Sequence, residues 1–227
     1  MPRPVRVYYD VISPYSYLAL TRLADLGARH DVAWEPAPVF YAALLDATDL
    51  VGPAETRVKR RYTLTDVLRA AALLGVPLAG PPEHPFRSLE ALRVATLFDG
   101  DPRALELAIA LATACWGEGR NLTDWGVLAA IVGGMGLDAS DLEARASATA
   151  VKAALRDRTD AAIAAGVFGV PTFELDGELF WGHDRLDHLA ARLAGRLPDL
   201  SGRARALEGR PRGADRAVAP ILREPSS

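Results

Sequence analysis

Val5-Arg6-Val7-Tyr8-Tyr9-Asp10-Val11-Ile12-Ser13-Pro14-Tyr15-Ser16-Tyr17-Leu18-Ala19-Leu20 decides the fold. β-branched and aromatic residues fill Val5 to Ile12, and apolar residues then recur at Leu18, Leu20, Leu23 and Leu26. The pattern predicts a strand, a sharp turn and a helix ending near Gly27. Ser just before a helix, with Pro at its first helical position, is a preferred start that brings a hydroxyl and free N–H groups together. Such an end accepts an anion. A thiolate beside Ser13 would have its pKa lowered, because the hydroxyl and the N–H groups stabilise only the charged form. The plainer alternative is an ordinary helix cap.

Working outward, Asp31 to Glu35 with Val32, Ala33 and Trp34 predicts a second short strand. Strand, helix and strand at this spacing make a βαβ unit with parallel strands. From Phe40 to about Ala165 strand signals are scarce and Ala and Leu recur at helical spacing. Val67, Ala70, Ala71 and Leu74 form one stripe ending at Gly75; Leu105, Ile109, Ala112 and Trp116 form another, with Leu107 and Leu111 on the opposite face. A helix apolar on two faces is buried on both. Ser88 and Thr123 stand where N-caps belong, and Ser140-Asp141-Leu142-Glu143 fits a capping box. Strand chemistry returns from Val167 to Leu175, followed by Asp176-Gly177, a strong hairpin turn, and Glu178 to Trp181. Gly182-His183-Asp184 then opens a last helix, Arg185 to Leu197.

The chain has 227 residues, half of them hydrophobic, enough for one substantial core. A net charge of -3 provides no basic field, which argues against nucleic acid as the main partner. One cysteine, Cys115, rules out an internal disulfide and any thiolate metal cluster; its place in an apolar helix reads as a small buried hydrophobe. His30, His84 and His188 show no metal-ligand spacing. Met1 to Arg6 lead into the first strand without an apolar signal region, and no run is long enough to cross a bilayer. The expectation is a cytoplasmic protein with no membrane partner.

A βαβ and a ββα unit split by helices, with Val170-Pro171 entering the third strand, resembles the DsbA-like thioredoxin superfamily. Its redox members carry two cysteines where this chain has Ser13-Pro14-Tyr15-Ser16, so dithiol exchange is excluded. Ser13 together with Val51-Gly52-Pro53, Trp116-Gly117-Glu118-Gly119, Phe168-Gly169-Val170-Pro171-Thr172 and Phe180-Trp181-Gly182-His183-Asp184-Arg185-Leu186 is similar to the 2-hydroxychromene-2-carboxylate isomerases, glutathione-dependent relatives of the kappa-class glutathione transferases. The resemblance implies an α/β, thioredoxin-like fold with a large all-helical insertion. Residues 1–39 and 166–200 are then the thioredoxin-like domain, 40–165 the inserted helical domain and 201–227 a mobile tail.

For the site, the resemblance implies glutathione as cofactor with its sulfur at Ser13. It implies a cis Pro171, the Val170 backbone paired with the cysteinyl unit, and Trp181, Gly182, His183 and Asp184 around the γ-glutamyl end. Asp184 suits the ammonium there; the plainer reading on residue type is an N-cap alone, and the two roles can coexist. The reaction implied is reversible ring opening of a small aromatic carboxylate by thiolate addition, bond rotation and elimination, in a homodimer. Lys59, Arg57 and Arg87 offer charge for the substrate carboxylate, Arg87 standing where the family has Asn; a solvated basic run is the alternative for residues 59–61. A kappa-like transferase and a non-catalytic thioredoxin-like binding module remain open as other readings.

Overall fold

The computed structural model describes residues 2–211 and Gly213. Strand β1 (Arg3–Tyr9) is followed by helices α1 (Pro14–Leu20) and α2 (Leu23–His30) and by strand β2 (Val32–Pro38). Helices α3 (Tyr41–Ala47), α4 (Arg57–Leu74), α5 (Leu89–Leu97), α6 (Ala104–Ala112), α7 (Trp125–Gly134), α8 (Leu142–Ala146) and α9 (Thr149–Ala164) come next. The hairpin β3 (Thr172–Leu175) and β4 (Glu178–Trp181) and helix α10 (Leu186–Leu193) complete the unit. Sheet order is β2-β1-β3-β4, with β1 parallel to β2 and antiparallel to β3. This is the thioredoxin-like arrangement with helices inserted between β2 and β3.

As an inner strand, β1 is covered on both faces and its side chains divide by the two-residue period. Val5, Val7 and Tyr9 enter the larger apolar cluster with Leu18, Leu107, Leu111 and Leu128. Tyr8 points the other way, into a smaller cluster with Val39, Leu44, Ala162 and Val170. Residues of the sheet and of the inserted helices thus share one core, and the chain through Leu197 is one compact unit. From Pro198 a second unit begins, containing the fully exposed helix α11 (Ser201–Glu208) where composition predicted no regular element. The rest of the predicted tail, residues 212 and 214–227, lies outside the described residues.

Local chemistry moved several boundaries. The first helix is two, because Thr21 bonds its hydroxyl back to the Leu18 carbonyl and Arg22 reaches across to the His183 carbonyl and Asp187. Gly27 does not end α2, which runs to a left-handed Asp31. Any Cβ at Gly27 would lie 2.7 Å from Trp34 Nε1, so this glycine makes room for the indole that donates to the Leu23 carbonyl. Asp124 caps α7 in place of Thr123, and Asp138, not the expected box at Ser140, accepts from the Ser140 N–H and hydroxyl. The hairpin matches its signal: Asp176 and Gly177 both have positive φ.

Ser88 precedes α5 but makes no cap bond. Its hydroxyl donates instead to Asp10, which is fully buried at the exit of β1. Asp10 Oδ1 accepts from Ile12 N–H at 3.0 Å, and Oδ2 accepts from Tyr41 N–H and Ser88 Oγ, each at 3.0 Å. One carboxylate therefore joins the β1 turn, the start of α3 and the start of α5.

Burial raises the Asp10 pKa to about 6, against the downward pull of its three donors. A folded value above the unfolded 3.8 means that the native state holds this proton more tightly, so Asp10 destabilises at neutral pH and the deficit shrinks as pH falls from about 6 toward 4. The span corresponds to roughly 3 kcal/mol. Urea unfolding of wild type and Asp10→Asn at pH 7 and pH 4.5 should show wild type gaining stability relative to the variant at the lower pH. A pH-independent difference contradicts this assignment.

Candidate active site

The turn after β1 is built almost without freedom. Ser13 N–H donates to the Asp10 carbonyl at 3.1 Å. The Val11 carbonyl accepts from Trp116 Nε1 at 2.8 Å and the Ile12 carbonyl from His84 Nε2 at 3.2 Å. Trp116 comes from a π-turn, Thr113–Gly117, that continues α6, and its own carbonyl accepts from Ala79 and Gly80 N–H. Such turns recur at functional sites. Residues distant in sequence therefore hold the Val11 and Ile12 carbonyls, the two that lead into Ser13.

Ser13 is the N-cap of α1, with Pro14 at the first helical position. Its Oγ accepts from Ser16 N–H at 3.3 Å and donates to the Val170 carbonyl at 3.3 Å. The Ser13–Val170 bond brings Ser13 beside the Val170–Pro171 peptide, which is cis. Ser13 is 9% exposed, sheltered from bulk solvent. Neither partner of the Oγ is a base, and Ser13 is consequently no nucleophile itself. Ser16 is fully buried and its Oγ has no partner.

Beside α1, the Tyr15 ring stacks on His183 with centroids 5.1 Å apart, and its hydroxyl donates to Asp66 at 2.7 Å. Burial, then the Asp66 bond, raises the Tyr15 pKa, and burial lowers that of His183. His183, Asp184 and Arg185 form a 3-10 turn ahead of α10. Gly182 has φ +108, and a Cβ there would lie 2.6 Å from Asp184 Oδ1, so only glycine admits the carboxylate in this position. Asp184 makes no cap bond; it is exposed and pairs with Arg185 at 2.8 Å. Trp181 is 52% exposed, edge-on to Phe168 at 4.8 Å.

A cleft of about 250 Å³ opens next to Pro14. Leu64, Val67, Leu78 and Trp116 contribute apolar wall, and Arg60, Thr63 and His84 the polar part. Lys59 and Arg57 do not line it, and Arg87 is paired with Glu90. Arg60 lies two helical turns before the buried Val67, on the face of α4 that meets the cleft, whereas Lys59 is turned about 100° away. That spacing was the signal that singles out Arg60 within the basic run.

His84 is the residue that sequence reasoning left unused. Its Nε2 faces the Ile12 carbonyl and must carry the proton, which leaves Nδ1 as a bare lone pair; Nδ1 is buried without a partner. Burial, followed by the charge of Arg60, lowers its pKa, so the ring is neutral at pH 7. Cys115 is fully buried with its thiol pushed up to about 12, an inert group. Among the described residues no group of His, Cys, Asp and Glu could hold a metal, and no helix is long and apolar enough to cross a membrane.

Residues 4–194 match the family described as DSBA-like thioredoxin domain. The chain is 34% identical over 204 residues to the 2-hydroxychromene-2-carboxylate isomerase of Pseudomonas putida, spanning 87% of this chain and 98% of that protein. It is 29% identical over 203 residues to glutathione S-transferase kappa 1 of Rattus norvegicus, spanning 83% and 90%. A solved 2-hydroxychromene-2-carboxylate isomerase superposes with a TM-score of 0.79 at 30% identity, covering 90% of this chain and 98% of that one. With a family match across the sheet and inserted helices, and isomerase relatives above 30% identity over nearly their full length, this chain belongs to the DSBA-like thioredoxin family and, within it, to the 2-hydroxychromene-2-carboxylate isomerases.

Proposed function

We propose that the protein is a glutathione-dependent isomerase that interconverts 2-hydroxychromene-2-carboxylate-like compounds and trans-o-hydroxybenzylidenepyruvate. The observation that carries this reading is the Ser13 hydroxyl, sheltered and bonded only to a carbonyl and an N–H. At 3.3 Å its bond to Val170 is longer than the 2.5–3.0 Å usual for O–H···O. A thiolate offers the same proton a charged acceptor, and bonds to charged groups contribute about 1.5–3 kcal/mol against roughly 1 for neutral ones. The hydroxyl therefore gains by turning from the Val170 carbonyl to a sulfur.

The surroundings fit glutathione. Val170, beside Ser13, offers its backbone to the cysteinyl unit in strand-like pairing. The exposed Asp184 meets the γ-glutamyl ammonium in exchange for Arg185, with Trp181, Gly182 and His183 forming the rest of that end. Bound there, glutathione supplies a thiolate that adds to the conjugated keto acid and leaves again, so that a double bond is single while it turns. Ser13 holds that sulfur in its charged form, Arg60 receives the substrate carboxylate, and the apolar wall excludes water from the aromatic ring.

Conjugation with release of the adduct, as the similarity to a kappa transferase suggests, is the second reading. In either case the protein acts on small molecules in the cytoplasm. As a homodimer, it would cover the apolar residues Val58, Tyr62 and Leu73 on the outer side of α4.

Glutathione at a hundred times its dissociation constant should stabilise the protein by about 2.7 kcal/mol, a rise in Tm of roughly 5–10 °C. No shift at millimolar glutathione contradicts binding. Ser13→Ala should slow turnover roughly ten- to hundred-fold at neutral pH and move the pH–rate profile to the alkaline side, because the bound thiol then needs more base to ionise. Full activity with an unmoved profile would show Ser13 to be only a helix cap.

A further inference from the structure

We infer that His84 is a catalytic acid–base residue: the unpartnered Nδ1 of its ring, which lines the cleft with Arg60, takes the proton from the hemiketal hydroxyl of the substrate and returns it to the ring oxygen as the ring opens. The inference rests on the isomerase reading and adds a residue to it. Three observations carry it. First, the Nε2 bond to Ile12 fixes the tautomer, so Nδ1 can only accept. Second, Nδ1 is buried and accepts nothing from the protein, the condition of a group whose partner arrives with a ligand. Third, Arg60 donates to the His84 backbone carbonyl at 3.1 Å, so cation and imidazole stand together in a cleft that begins at Pro14, next to Ser13.

The chemistry of the substrate matches this pair. In a 2-hydroxychromene-2-carboxylate the carboxylate, the hydroxyl and the ring oxygen are all attached to C2. With Arg60 on the carboxylate, the two oxygens on the same carbon lie within reach of a single nitrogen. The hydroxyl proton passes to Nδ1 as the bond between C2 and the ring oxygen breaks. Its electron pair goes to the ring oxygen as a phenolate, and a carbonyl forms at C2. The proton on Nδ1 then passes to the phenolate. His84 ends as it began, and no further reactant is consumed. The groups around the ring suit the role: Arg60 is the charge that bears on it from α4 and disfavours a resting imidazolium, while the β1 turn presents a carbonyl and the π-turn the Trp116 ring.

The test compares two substrates in wild type, His84→Phe and His84→Gln, each with glutathione. One is the hydroxychromene carboxylate; the other is the open cis keto acid with its phenol O-methylated, which isomerises about the same double bond but has no proton to move. Opening of the chromene should fall roughly 10²–10⁴-fold in both variants, limited by the uncatalysed rate. Isomerisation of the methoxy compound, which needs the clamp on the Ile12 carbonyl but moves no phenolic proton, should fall at least ten-fold less than chromene opening in the same variant. Equal loss on both substrates in both variants assigns His84 a structural role and overturns the proposal, as does chromene turnover within three-fold of wild type. Wild-type protein inert toward both substrates overturns the isomerase reading itself, a result distinct from either of these.

Discussion

A buried carboxylate that accepts three hydrogen bonds from three different elements underlies the whole site. Asp10 has no solvent exposure, and its oxygens tie the end of β1 to the first residue of α3 and to the serine that begins α5. An unpaired carboxylate so deep would be strongly disfavoured; three donors make the charge tolerable, and removing any one leaves the others facing a poorer partner. The consequence is geometric. Val11, Ile12 and Ser13 follow a fixed point and are further clamped by Trp116 and His84, so the hydroxyl at Ser13 emerges in one position. For the role proposed for Ser13 this fixed position matters, since misplacement by an ångström weakens a charge-assisted bond steeply.

The inserted helices are part of the chemistry for the same reason. In the sheet alone, the β1 turn would have its carbonyls open to water. Trp116, from the π-turn after α6, and His84, from the segment before α5, satisfy those carbonyls and also form walls of the cleft. The side chains that stiffen the turn before Ser13 therefore also shape the cleft. Two serines stand where redox relatives have cysteines, and they differ: the Ser13 hydroxyl bonds the Val170 carbonyl and the Ser16 N–H, while the Ser16 hydroxyl is buried with nothing to bond. A serine that supports a sulfur needs only one of these positions.

How much of this was legible in the sequence depended on distance along the chain. β1 and the β3–β4 hairpin turn follow from local signals, namely the two-residue alternation and Asp176-Gly177, whereas β2 runs on past Glu35 to Pro38 and β3 begins only at Thr172, five residues after the Val167 that the composition marked. The motifs around Ser13 and Val170-Pro171 led to the family, because those residues are chemically unusual in themselves. Caps were harder. Ser88 had the right residue type before a helix, but a carboxylate 78 positions earlier took its hydroxyl. Gly27 looked like a stop, yet its smallness serves Trp34, which only the strand after it brings near. In the basic run, charge alone pointed to Lys59 and Arg57; the cleft selects Arg60 by helical phase with Val67. His84 was unreadable because its partner, the Ile12 carbonyl, lies 72 residues away.

On the proposed reading, Ser13 holds a glutathione thiolate that is used and returned. The most direct measurement follows 2-hydroxychromene-2-carboxylate spectroscopically to equilibrium, with and without glutathione, and titrates free thiol at the end. Turnover is expected only when glutathione is present, with thiol recovered in full. Turnover at an equal rate without glutathione, or one thiol lost for every substrate converted, would contradict it.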